Sequence, residues 1–269
     1  MGAMDRFLEK LYDSTDHCRG SLSGLRDVQE RTRVIRRQLE GALGDFGFAH
    51  RQPDHLGEQI EHTVLEDHIR ERMIFQLGDE LSVPVYVLTP RQHSGPLPAV
   101  LALHGHGYGS KEIVGLAPDG TADTAATGIH QHFAIQLVRR GMKVFAPELA
   151  GFGERRLARD YAEAKPCSCN TLSRHLIMTG RTLAGLRVYE ATRMIDLMAR
   201  LQDVDSERLG LMGFSGGGLV AAYASGLEER IKRPCCADLP IRSSIAYSLW
   251  IIALIITSLV YYKLRNFPI

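Results

Sequence analysis

The segment Arg208-Leu-Gly-Leu-Met-Gly-Phe-Ser215-Gly-Gly-Gly218-Leu-Val220 constrains the fold more than any other part of the chain. An apolar run passes through a Ser bracketed by glycines into a stretch of small residues, the pattern of a strand that turns sharply into a helix with the Ser at the bend. Gly213 and Gly217, two residues either side of Ser215, fit a turn so tight that side chains there would clash. A phosphate loop also places glycines at a strand-to-helix junction, but no Lys follows these, which disfavours a Walker-type loop.

The remaining pattern supplies partners for that strand. Apolar residues at helical spacing in residues 5–12 and 25–43 (Leu25, Val28, Val34, Ile35, Leu39, Leu43) predict an N-terminal helical cap. Residues 72–76 and 83–89, either side of Gly78-Asp79, predict a β-hairpin at the sheet edge, where Pro84 is tolerable. The short apolar runs 99–103 and 143–146 read as strands buried on both faces. Residues 132–140, closed by Gly141, and 182–202 read as helices. Strands alternating with helices predict an α/β fold, a mostly parallel sheet with helices on both faces. The expected division is a helical cap over residues 1–60, a core over 61–232 and an aberrant tail over 233–269.

With 269 residues, 45% of them hydrophobic, the chain can bury one large core. Its formal net charge of +1 is scattered rather than striped, so nucleic acid is not expected as a partner. The five cysteines, an odd number, show no spacing of a disulfide framework or a zinc ribbon. A reducing, cytoplasmic setting is expected, and residues 1–10 lack the apolar run of a signal peptide. Nothing in the sequence bears on oligomeric state.

Ser215 is the candidate nucleophile, attacking an ester or related carbonyl once a general base takes its proton. The oxyanion that develops needs two preorganised N–H donors. Gly216, directly after the nucleophile, is one candidate. The other is the main chain of His106, in the loop His104-Gly-His-Gly-Tyr-Gly109. A rival reading makes His104, His106, His130 and His132 metal ligands, but no carboxylate accompanies them at ligand spacing, and no metal is expected. Glu154 and Arg155, with Arg156, follow the strand at 143–146, at the edge where α/β sheets place ligands. They either shape the acyl or alcohol pocket or form a surface loop with a local ion pair.

Four segments, residues 101–109, 144–156, 182–190 and 208–218, together resemble the acetylxylan-esterase-like branch of the dienelactone hydrolase superfamily, over roughly residues 25–232. The resemblance implies an α/β-hydrolase fold and a serine esterase of small or sugar esters, without metal or organic cofactor. In that fold the triad runs Ser, then Asp or Glu, then His, whereas the last histidine here is His175. The resemblance therefore implies that the catalytic Asp and His lie in a C-terminal third this chain does not contain, and that the 269 residues turn over poorly.

From Arg233 the resemblance stops. Residues 233–269 can be read as an out-of-frame translation of the family's next strand and helix, which places the expected one-base shift near the codons for Lys232 and Arg233. Taken literally, residues 245–262 are 18 positions without a charge, a borderline transmembrane helix, and a non-enzymatic membrane-anchored protein is the alternative reading. That alternative costs the fold its next strand and leaves the strand before Ser215 as an exposed apolar edge.

Overall fold

The apolar runs around Leu101 and Val144 become neighbouring strands inside a sheet, and the other elements are arranged about them. The computed structural model describes residues 2–14, 27–47, 57–77, 81–124, 128–231 and 233–237. Among these, seven strands, β1 (Glu58–Val64), β2 (His68–Gln76), β3 (Ser82–Pro90), β4 (Leu97–Leu103), β5 (Lys143–Pro147), β6 (Val204–Phe214) and β7 (Arg233–Ala237), lie in the order β1-β2-β3-β5-β4-β6-β7. The helices are α1 (Ala3–Ser14), α2 (Val28–Leu43), α3 (Ser110–Ile113), α4 (Phe133–Val138), α5 (Ala158–Ala162), α6 (Cys169–Ile177), α7 (Leu183–Met198) and α8 (Gly216–Leu227).

The α/β organisation holds, but the sheet is mixed. β4 pairs in parallel with β5 and β6, and β6 with β7, whereas β1, β2 and β3 form an antiparallel meander that joins β5 antiparallel. The difference follows from the connections, since the short links between β1, β2 and β3 make antiparallel neighbours and the helical crossovers after β4, β5 and β6 make parallel ones. The expected hairpin is β2–β3, in register from His68 opposite Pro90 to Gln76 opposite Ser82. It is not at the edge, because β1 covers β2 and β3 continues to β5. Pro84 is accommodated because the β5 ladder starts at Val85, so its missing N–H leaves no gap there, and its carbonyl accepts from the Glu148 N–H at 2.8 Å. The Gly78-Asp79 turn lies outside the described residues.

Period-two alternation splits the strands between two faces. Tyr86, Leu88, Ala102, Val144 and Ala146 pack with Ile113, Phe133, Ala134 and Val138 of α3 and α4. The alternate set, Val85, Val87, Leu101, Leu103, Phe145 and Leu211, is equally buried, and α7 and α8 pack against β4 and β6. Each such side chain contributes on the order of 1.5–3 kcal/mol of transfer free energy, which is why β4 and residues 144–146 of β5 are apolar.

β1 starts at Glu58, inside the stretch expected to be helical cap. Leu43–Leu239 form one compact unit, and α1 with α2 up to Ala42 belongs to another. In α2 the buried positions Ile35, Leu39 and Leu43 recur at every fourth residue, as an amphipathic helix requires.

The strand that the membrane-anchored alternative would cost the fold is present as β7. Residues 233–237 pair in parallel with β6, from Gly210 opposite Arg233 to Phe214 opposite Ala237. A ladder is built from backbone N–H and C=O groups, so an adjacent extended segment can complete it despite a break in resemblance. The remaining tail, including residues 245–262 and their out-of-frame or membrane-spanning readings, lies outside the described residues. No described helix is long and apolar enough to cross a membrane.

Candidate active site

Strand order reverses at β4: the chain goes from β4 to β5 on one side and then to β6 on the other. In open α/β sheets, ligands bind outside the carboxyl ends of the strands at such a switch. The loops that begin at His104, Glu148 and Ser215 all leave from those ends.

Ser215 stands between β6 and α8 with φ 51° and ψ −117°, a conformation that L-residues other than Gly rarely adopt. Its neighbours enforce it. A methyl group on Gly213 would collide with the Gly217 carbonyl, and one on Gly217 with the Leu103 and His104 carbonyls. The strand end, the bend and the helix start therefore pack backbone against backbone. Ser215 is half-buried, and Gly216, as the first residue of α8, has an N–H with no acceptor one turn back in the helix.

The two histidines of the loop after β4 both stand edge-on to Phe152, with centroids 5.2 Å away, but they differ in burial. His104 is fully buried, with Nδ1 donating to the Gly105 carbonyl at 2.8 Å and Nε2 lying 3.2 Å from Glu148 Oε1. Glu148, also buried, accepts from the Ser110 hydroxyl at 2.9 Å and from the Ser110 N–H at 3.2 Å. Burial alone would push the Glu148 carboxyl up; the hydrogen bonds from His104 and Ser110 outweigh it and hold the group below its ordinary value. Gly109, at φ 111°, leaves room for this carboxylate where a side chain would strike it. The charged cluster thus fixes the shape of the His104–Gly109 loop.

His106 faces outward and is exposed. Its ring stands edge-on to Phe152, with centroids 5.2 Å apart, and lies against Gly216. Partial burial, followed by the positive fields of Arg187 and His104, lowers its pKa, so the imidazole is neutral near pH 7. Gly105 donates its N–H to His130 Nε2 at 2.9 Å, whereas no acceptor among the described residues takes the His106 N–H. His130 Nδ1 lies 2.8 Å from Glu112 Oε1, and His132 Nε2 lies 3.0 Å from Asp123 Oδ2. Among the described residues the four histidines do not converge on a common metal-binding group.

Glu154 and Arg155 are placed differently from an open pocket lining. Arg155 pairs with Glu190 of α7 through two hydrogen bonds, and Glu154, half-exposed, pairs with Arg72 of β2. Of the two readings the sequence left open, the local ion pair describes the geometry. Arg187 was not anticipated. It is buried, donates to the Ala150 carbonyl at 2.6 Å and to Cys169 Sγ at 3.2 Å, and stacks over Phe152 at 4.9 Å. Its signal was an Arg on the inward face of a helix, which demands fixed acceptors. Through it, the segment carrying Cys167 and Cys169 is drawn in beside His106.

Several known proteins are similar to this chain. The family described as acetyl xylan esterase (AXE1) matches residues 72–253, running past Lys232, where the resemblance was expected to end. The Bacillus subtilis (strain 168) protein YtaP, which carries the name of a hydrolase, is 32% identical over 211 residues, covering 76% of this chain and 62% of its own length. A Bacteroides fragilis NCTC 9343 structure assigned as an acetyl xylan esterase superposes with a TM-score of 0.65 at 18% identity, over 77% of this chain and 52% of that one. A glucuronoyl esterase from Solibacter usitatus superposes with a TM-score of 0.52 at 15% identity, over 76% and 56%. The chain thus spans less than two thirds of the length of each of these relatives, and at such identities the two structures speak for the fold alone. With the sequence match extending over most of the chain and the elbow, switch point and loops in place, the chain belongs to the acetyl xylan esterase (AXE1) family.

Proposed function

We propose that this chain carries the nucleophile and the oxyanion donors of a serine esterase. In this reading the Ser215 oxygen attacks the carbonyl carbon of a small or sugar ester. Its proton passes to a general base, the alcohol leaves, and water then releases the acid from the acyl-serine. The N–H groups of His106 and Gly216 hold the oxyanion. The observation that carries the reading is Ser215 itself, a non-glycine residue held at φ 51° at the carboxyl end of β6, beside the switch point. Strain of this kind at a loop that a fold uses for chemistry costs about 1–3 kcal/mol and persists only where the surroundings impose it. Ester chemistry is supported by the family description. No metal and no organic cofactor takes part.

No histidine follows Ser215 in the 269 residues, so the base that the fold places after the nucleophile is not supplied by them. Taken alone, these residues turn over at the residual rate that an oxyanion hole and binding support, roughly 10³–10⁴-fold above water. Hydrolysis of 4-nitrophenyl acetate and labelling by a fluorophosphonate test the two halves separately. Ordinary enzyme rates that vanish in Ser215→Ala would overturn the low-turnover expectation and leave the nucleophile standing. Labelling that persists unchanged in Ser215→Ala would overturn the nucleophile.

A further inference from the structure

His106, Cys167 and Cys169 are far apart in sequence, yet their donor atoms all lie within 4.8 Å of one another. Three independent contacts hold them there. The Phe152 ring meets His106 edge-on, the Ser168 N–H donates to the Gly151 carbonyl at 2.8 Å, and Arg187 bridges the Ala150 carbonyl and Cys169 Sγ. Both cysteines are free thiols and half-buried, and His106, unlike His104, His130 and His132, has no ion pair with a carboxylate among the described residues.

We propose that His106, Cys167 and Cys169 form a binding site for a thiophilic divalent cation of the Zn²⁺ type. An imidazole nitrogen with two sulfurs is a donor set that selects zinc over magnesium or calcium. Three protein ligands leave the fourth tetrahedral position open to water from the exposed side of His106. Around a tetrahedral zinc ion, with bonds of about 2.0–2.3 Å, such donors stand roughly 3.5–3.8 Å apart. Closing from the present spacing takes about 1 Å, within reach of rotations about the side chains on the Cys167 loop. Binding releases two thiol protons, leaving a doubly negative sulfur pair that neutralises the ion. Burial pushes the Cys169 thiol up, and Arg187 offsets this only in part while repelling the incoming cation. The cation therefore binds more weakly than at an all-thiolate structural site.

The site is independent of whether Ser215 is a nucleophile, and its test does not use activity. The reduced, metal-free full chain is titrated with Co²⁺ and then with Zn²⁺, while absorbance and proton release are recorded. The expected result is one Co²⁺ per chain, with sulfur-to-cobalt charge-transfer and tetrahedral ligand-field bands that Zn²⁺ abolishes. Cys167→Ser/Cys169→Ser is expected to lose these bands, and Cys18→Ser/Cys235→Ser/Cys236→Ser to keep them. Cys167→Ala alone, a milder change on a loop, is expected to weaken binding at least tenfold at an unchanged circular dichroism spectrum. Absence of the bands in the parent chain, or their survival in Cys167→Ser/Cys169→Ser, overturns the proposal.

Discussion

The Arg155 guanidinium grips the Glu190 carboxylate with two hydrogen bonds, 2.9 Å from one nitrogen and 2.5 Å from the other, while also donating to the Glu148 carbonyl at 3.0 Å. The loop after β5 is thereby fastened to α7. Both side chains are largely buried, at 12% and 4% exposure, so removing one partner strands a charge in the interior. Glu190→Ala is expected to cost about 3–5 kcal/mol in urea unfolding. Arg155→Lys, which keeps the charge but loses the fork, is expected to fall between that variant and the parent. A Glu190→Ala variant as stable as the parent would show that the pair fastens nothing.

Strain at Ser215 predicts an inversion of the usual glycine penalty. Ser215→Ala keeps a Cβ at φ 51°, whereas Ser215→Gly removes it. The Gly variant is expected to be more stable than the Ala variant by about 1 kcal/mol, with neither labelled by a fluorophosphonate. Equal melting temperatures would mean that the bend is relaxed.

Gly217 tests the close packing that makes the bend. A methyl group there meets two carbonyl oxygens of the β4 end rather than a side chain that could rotate away. Gly217→Ala is expected to lose about 1–3 kcal/mol, or to fail to fold. Gly141→Ala is the control for a left-handed glycine with open space about it, at φ 81° and with no atom near its would-be Cβ, and it pays backbone strain alone.

Acid should loosen the turn between β1 and β2. The Asp67 carboxyl is held down to about 2, from an ordinary 3.8, first by Arg139, whose Nε lies 2.6 Å away, and also by His68. A carboxyl depressed in the folded state contributes stability above its unfolded value and loses it as pH falls from about 4 towards 2. Asp67 is 35% exposed, so solvent screening limits the effect to about 1 kcal/mol or less. Asp67→Asn should flatten the acid limb of a stability profile by that amount. An unchanged limb would assign acid sensitivity to other carboxyls, such as Asp160, which Lys165 holds at about 2.

Legibility in the sequence followed how local the determining force was. The elbow could be read because glycines 213 and 217 and the flanking apolar run are contiguous, and β4 and β5 because burial on both faces forces unbroken apolar runs. Helix α7 was legible from the apolar spacing of residues 182–202, whereas its Thr182 cap, whose hydroxyl accepts from the Gly185 N–H at 2.9 Å, was not singled out. β1 was missed because nearly all its residues are exposed and no alternation marks it. Glu148, Ser110, Glu190 and Arg187 were missed as determinants of the site's shape for a different reason. Their meaning lies in partners 35 to 38 residues away, and polar pairs at that separation leave no periodic trace.

His104 and His106 are separated by one glycine, and their unequal burial means that the same substitution at each belongs to a different experiment. Replacement at position 104 removes a ring enclosed on every side, and its consequence is read in yield, protease sensitivity and melting. Replacement at position 106 leaves the scaffold its enclosed contacts and is read in ligand titrations. A mutational library scored for expression alone would accordingly see the first histidine and overlook the second, so the two must be assayed on separate axes before either is ranked.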